Sequence, residues 1–334
     1  MAGNAKEVTL ILHIGLHKTA TTYIQSELSL RRHDLLEDGI LHPIAGQEIR
    51  LISRTREGAQ SGHAMFTRPK TAAQYLPDLL REIPESASTV LLSSEDFTLP
   101  ATGGAAGHLR VFEDFGQIKV VLVLRRQDEW IQSFYKQSVD QYRPFETRPF
   151  AKFLEEEGPH LLDFHARFNP WREAVGSDNF HVLSYDDDGG GSELCRRILQ
   201  IGGASPEVLA RIGSAEVERY DSVRSIDTVG LRVLNACRLS DRDERVRLAR
   251  AIYDVAPGRD IALMSDEMRE GVQKACAPIN QRIEAEWFDR DVPGFRFASP
   301  VQPPPAEAPS GEEMLRYLDD VLQICASASR EDAP

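Results

Sequence analysis

Strand-like and helix-like runs alternate along the chain. Val8, Leu10 and Leu12 lie in an apolar run that is too short for a helix and begins β-branched, which predicts a buried strand. Three more runs read the same way: Ser88–Ser93, Ile118–Leu124 and Phe180–Ser184. Helical spacing at Tyr23, Ile24 and Leu28 predicts a first helix ending near Gly39. Further helices are expected over Thr71–Ile83, from Gly103-Gly104 to about Asp114, and over Asp128–Tyr142. The last of these should bury Trp130, Ile131, Phe134 and Tyr135. Residues 149–175 read as helical, with Trp171 a core residue. The loop Tyr185-Asp186-Asp187-Asp188-Gly189-Gly190-Gly191 leads into a helix from about Ser192, and the helical pattern continues to about Ala285. Residues 40–70 lack periodicity and are expected to form a long surface excursion with a turn at Ser61-Gly62-His63.

This alternation predicts an α/β fold, a parallel β-sheet flanked by helices, with a mainly helical C-terminal portion. We expect one domain over residues 1–300, with an α/β core over about 8–200 and a helical part over about 192–290. A Pro-rich linker over 301–310 and a C-terminal helix and tail over 311–334 should follow, the helix covering Gly311–Ala326. Ligands of such sheets bind at the carboxyl ends of the strands. Polar residues gather after all four predicted strands.

Composition narrows the partners. A hydrophobic content of 41% and a charged content of 27% are ordinary for a soluble protein. The net charge of −13 argues against nucleic acid, so any polyanionic ligand must sit in a local basic pocket. Cys195, Cys237, Cys276 and Cys325 are widely spaced, which fits a reduced, cytoplasmic setting. No run approaches the length of an integral membrane segment, and the first apolar run, broken by His13 and His17, lacks a signal-peptide pattern.

The stretch after the first strand carries the sharpest chemistry: Gly15-Leu16-His17-Lys18-Thr19-Ala20-Thr21-Thr22. A strand, a tight turn and a helix start present free N–H groups and a positive dipole end to an anion. Lys18 adds a full charge, and Thr19, Thr21 and Thr22 add donors. It is not a Walker A loop, because no second glycine precedes the lysine. The plain alternative is a strand-to-helix turn with a threonine N-cap and a solvated lysine.

His17 to Thr22 resembles the 5′-phosphosulfate loop of sulfotransferases that use PAPS (3′-phosphoadenosine 5′-phosphosulfate), in the P-loop-like fold of bacterial members. Their pattern, K-[ST]-G-[ST]-T and then an aromatic residue, is matched by Lys18, Thr19, Thr21, Thr22 and Tyr23. Ala20 stands where glycine is commoner, at an energetic cost if that position needs positive φ. Arg125, at the end of the third predicted strand, and Ser133, eight residues on, resemble the family's second signature, which holds the 3′-phosphate. Alternatively, Arg125 and Arg126 pair with Asp128 and Glu129 at the surface.

The resemblance implies a base just after the second strand, where Glu95 stands. Asp96 is its rival, and His17 is a further candidate as base or for orienting the acceptor. Tyr23 and Tyr185 would contact the cofactor, although either could be a core or rim residue. Ser222, Arg224 and Ser225 match further cofactor contacts loosely. The implied activity is transfer of a sulfuryl group from PAPS to a hydroxyl or amine of a small-molecule, lipid or glycan acceptor, leaving PAP. His63 and Arg143 are candidate acceptor contacts. No metal is needed, and His13 and His17 lie on a strand and a turn, a poor zinc arrangement. The rivals are a P-loop-type nucleotide kinase or NTPase, and a non-catalytic nucleotide-binding module.

Overall fold

Five parallel strands form the frame of the candidate site. In the computed structural model the described residues are 7–51, 60–64, 69–98, 104–141, 145–186, 190–214, 223–239, 241–288 and 308–331. In chain order they form β1 (Thr9–His13), α1 (Thr21–Leu30), α2 (Arg32–Glu37), β2 (Ile40–Leu41), β3 (Gln47–Leu51), β4 (Gln60–Ala64) and α3 (Pro69–Glu82). Next come β5 (Thr89–Ser93), α4 (Gly104–Val111), β6 (Gln117–Leu124), α5 (Gln127–Asp140), α6 (Phe150–Leu161), α7 (Phe164–Val175) and β7 (Phe180–Ser184). The rest is helical: α8 (Gly191–Ile201), α9 (Pro206–Arg211), α10 (Ser225–Ala236), α11 (Arg242–Val255), α12 (Asp266–Trp287) and α13 (Gly311–Glu331).

The sheet order is β2-β5-β1-β6-β7, all parallel. Leu12 of the central β1 is in register with Leu92 on one side and Val120 on the other. Successive strand residues point to opposite faces, and here both faces are covered, which is why the strands read as unbroken apolar runs. Ile11, Leu91, Val121, Val123 and Leu183 pack with Ile24 and Leu28 of α1, Leu194, Ile198 and Leu199 of α8, and Val208 of α9. A fully buried aliphatic side chain contributes about 1.5–3 kcal/mol. The strands that lead to the candidate site are therefore held by a buried apolar core.

Several expectations need correction. The predicted turn at Ser61-Gly62-His63 lies inside β4, which pairs antiparallel with β3. Residues 40–41 add a fifth strand at the sheet edge. The first helical stretch is two helices parted at Arg31, and 149–175 is two parted at Leu162-Asp163, where Asp163 accepts from Ala166 N–H as a helix cap. Among the described residues, the stretch from Ser192 to Ala285 is broken into five helices. On α5, Trp130, Ile131 and Tyr135 are buried but Phe134 only half-buried. Trp171 is core, as expected. Residues 187–189, 222 and 301–307 lie outside the described residues, and with them Asp187, Ser222 and most of the expected linker.

The chain divides into two units. The sheet unit comprises 1–126, 163–219 and 277–299; the helical unit comprises 127–162, 220–276 and 300–334. In the helical unit, Arg269 bridges Asp128 and Glu129 at 2.7 Å each. In the same unit Asn235 donates to the carbonyls of Val139 and Glu146 and accepts from Arg245, a buried polar knot. All four cysteines are free. Among the described residues, no helix is long and apolar enough to cross a membrane.

Candidate functional site

The loop after β1 is pinned before it turns. Ile14 N–H donates to Val121 O at 2.9 Å and Leu16 N–H to Val123 O at 3.4 Å, extending the sheet past the end of β1. Thr19 Oγ1 then donates to Leu16 O at 2.5 Å and closes the turn. The Thr19 hydroxyl thus shapes the loop from within. Lys18 and Ala20 both adopt left-handed backbone, with φ of 66° and 62°. For a residue with a Cβ that conformation costs about 1–2 kcal/mol, strain of the kind that collects at functional sites.

Helix α1 begins directly from this loop. Its N-cap is Ala20, no side chain caps it, and its first turn carries no acidic residue. The threonine cap of the plain alternative is therefore not formed. The first-turn N–H groups have no intrahelical acceptor, so this end is shaped for an anion. Gly15 is required by close approach, since a Cβ there would lie 2.6 Å from His13 Nε2. Because Ala20 sits at φ 62°, Ala20→Gly is expected to stabilise the fold by about 0.5–1 kcal/mol. Urea denaturation checks this, and a less stable variant would contradict it.

Arg125 follows β6 and reaches the same loop. Its Nη1 donates to Lys18 O at 3.4 Å, and its guanidinium lies 5.0 Å from the centroid of the Tyr185 ring. The end of β7 is latched to the end of β6: Tyr185 N–H donates to Leu124 O at 2.8 Å, and Arg126 N–H to Asp186 Oδ2 at 2.7 Å. Tyr23, on α1, donates to Glu27 Oε1 at 3.3 Å. Burial, with the Glu27 carboxylate beside it, pushes the Tyr23 phenol up to about 12. Its ring lies against Gly191, where a Cβ would come within 2.7 Å of Cδ1.

The second strand ends in an acidic corner. Glu95 opens a 3₁₀ turn over Glu95–Thr98 directly after β5. Gln25 Nε2, from α1, donates to Glu95 Oε2 at 3.0 Å. The other oxygen, Oε1, lies 4.0 Å from His17 Nδ1, and Asp96 Oδ1 lies 3.9 Å from His17 Nε2. Beneath them His13 Nδ1 is hydrogen-bonded to Ser93 Oγ at 2.8 Å. Burial lowers His13 to about 4, against the opposing pull of Glu95, so its imidazole is neutral near pH 7. Phe97 roots the turn by packing edge-on against His108 and Trp171.

No family model matches the chain, and no curated protein matches it. It is similar to solved sulfotransferases. A sulfotransferase from Alicyclobacillus acidocaldarius aligns over 85% of this chain and 95% of its own, at 13% identity and a TM-score of 0.42. A mouse sulfotransferase complexed with PAP aligns over 66% of this chain and 72% of its own, at 14% identity and a TM-score of 0.37.

Among the sequence candidates, His17, Lys18, Thr19, Ala20, Thr21, Thr22, Tyr23, Glu95, Arg125 and Tyr185 all fall in the sheet unit, at or beside its strand ends. Thr21 is buried and Thr22 exposed, both in the first turn of α1. Ser133 is half-buried on α5 and belongs to the helical unit, as do Arg224 and Ser225 at the start of α10. His63 falls on β4, and Arg143 lies outside the described residues. Gln25 is the residue that sequence reasoning missed. The available signal was a polar side chain four residues after Thr21, hence on the same side of α1 as the loop.

Proposed function

We propose that this chain is a PAPS-dependent sulfotransferase acting on a hydroxyl or amine of a small-molecule, lipid or glycan acceptor. The observation that carries the reading is the uncapped start of α1 behind a left-handed Lys18 loop, with the Arg125 guanidinium donating to that loop. These residues fit a doubly phosphorylated nucleotide: N–H groups and an ammonium for the 5′ end, and a guanidinium for a second phosphate. PAPS would supply an activated sulfuryl group, whose sulfur bonds to the acceptor as its bond to the 5′-phosphate oxygen breaks and that oxygen keeps the electron pair.

Lys18 and the first-turn N–H groups of α1 stabilise the negative charge that develops on that side. Glu95 takes the proton from the acceptor at the opposite side, and His17, between Glu95 and Asp96, orients the acceptor. Tyr185 supports Arg125 through its ring face. Four free cysteines fit a cytoplasmic enzyme.

Thermal-shift measurement tests this directly. PAP at a hundredfold excess over its dissociation constant is expected to raise the melting temperature by about 5 °C, and ATP with Mg²⁺ by much less. The reverse ranking would favour a kinase or NTPase. Lys18→Ala is expected to fold normally and to lower turnover by about 10²–10³. PAP binding without transfer to any of a panel of phenols, amines and sugars would favour a non-catalytic module.

A further inference from the structure

The geometry points to Gln25 as the residue that positions the Glu95 carboxylate and thereby makes Glu95, and not Asp96, the base; this rests on the transfer reading above. Gln25 is 3% exposed on α1, and its amide donates to Glu95 Oε2 at 3.0 Å from a helix 70 positions away in sequence. That contact occupies one carboxylate oxygen and leaves Oε1 on the His17 side. The Glu95 side chain is 17% exposed, whereas that of Asp96 is 32% exposed. The Asp96 N–H donates to Ser94 Oγ at 3.3 Å, and its carboxylate lies 3.9 Å from His17 Nε2. The Glu95 carboxylate is therefore gripped by a buried amide, and it is the less exposed of the two acids.

The choice of an amide has a chemical consequence. A cationic partner would hold the carboxylate in place but would strongly favour its charged form and weaken it as a base. A neutral donor fixes the geometry at a smaller cost in basicity. Because Gln25 stands on the helix whose first turn forms the phosphate cradle, one rigid element sets both the anion site and the base. That arrangement meets the need to hold reacting groups at fixed spacing.

The test uses the full chain with the Glu carboxyl carbons ¹³C-labelled, the Glu95 signal being identified by its absence in Glu95→Gln. Titratable groups near Glu95 include His17 on the loop, His13 on β1 and Asp96 in its own turn, and these stay in place. Gln25→Met keeps the length and removes the donor, so the Glu95 midpoint should rise by about one pH unit. Gln25→Glu, which is isosteric, should raise it further because two carboxylates then share one site, and it carries the test if Gln25→Met fails to fold. In parallel, PAP release from PAPS with water as acceptor should lose about tenfold in kcat at neutral pH, with KM for PAPS unchanged and the acid limb of the profile moved upward. A chain that binds no PAP overturns the transfer reading. A chain that binds PAP, and whose Glu95 midpoint and acid limb stay put in the folded variants, overturns this inference alone.

Discussion

Glu95→Gln should leave a folded protein that binds PAP as tightly as the parent and releases it from PAPS about 10²–10⁴ times more slowly. The substitution keeps the shape of the side chain and an oxygen that can accept from Gln25, so the 3₁₀ turn and its aromatic root have no reason to move. What disappears is the carboxylate able to take a proton at that position. Nucleotide affinity should hold, because the anion-facing groups belong to the Lys18 loop and Arg125. Single-turnover measurements with a responsive acceptor separate the outcomes. Full activity would remove Glu95 from the base role, and a larger loss in Asp96→Asn would transfer the role to that neighbour.

Acid should unfold the protein well before its carboxylates titrate. His13, His42 and His108 are all buried, and desolvation lowers them to about 4, 3 and 4. Their unfolded value is about 6.5, so between pH 6.5 and the folded values the unfolded chain binds more protons. Stability is then fully present above pH 6.5 and falls as the pH drops through this window. Each histidine contributes about 1.4 kcal/mol per pH unit, which makes the loss about 2 kcal/mol each, and about 6 kcal/mol together, by pH 5. Against a typical total of about 5–15 kcal/mol, this decides whether the fold survives. Urea denaturation at pH 7.5, 6 and 5 measures the slope. His42→Asn, which can still donate to Leu91 O, should flatten it by about one proton. A stability that does not change down to pH 5 would refute the account.

The parts of the fold that were legible in the sequence are those whose burial leaves a one-dimensional trace. β1, β5, β6 and β7 are covered on both faces, so each reads as a short unbroken apolar run. The hairpin of β3 and β4 was not legible: Gln60-Ser61-Gly62-His63-Ala64 carries no apolar alternation, and its strand state comes from pairing with 47–51. β2 spans two residues and is a strand by virtue of its neighbour β5. The helix breaks at Arg31 and Leu162-Asp163 interrupt periodicity that continues on either side.

The site divides in the same way. Lys18, Glu95 and Arg125 stand out in the sequence as candidates because each follows an apolar run, and the structure sets them at strand ends of a parallel sheet. By itself, then, the amino-acid sequence determined four of the sheet's five strands, the order of chemistry along the chain and the residue types at those strand ends, since local pattern and covalent adjacency are all those need. Only the tertiary structure decided that Ala20 is left-handed and α1 uncapped, that Arg125 stacks on Tyr185 and reaches the Lys18 carbonyl, and that Gln25 grips Glu95. These are contacts between segments far apart in sequence, or backbone states imposed by such contacts. Their energies depend on distance and direction in space, which no run of neighbouring residues records.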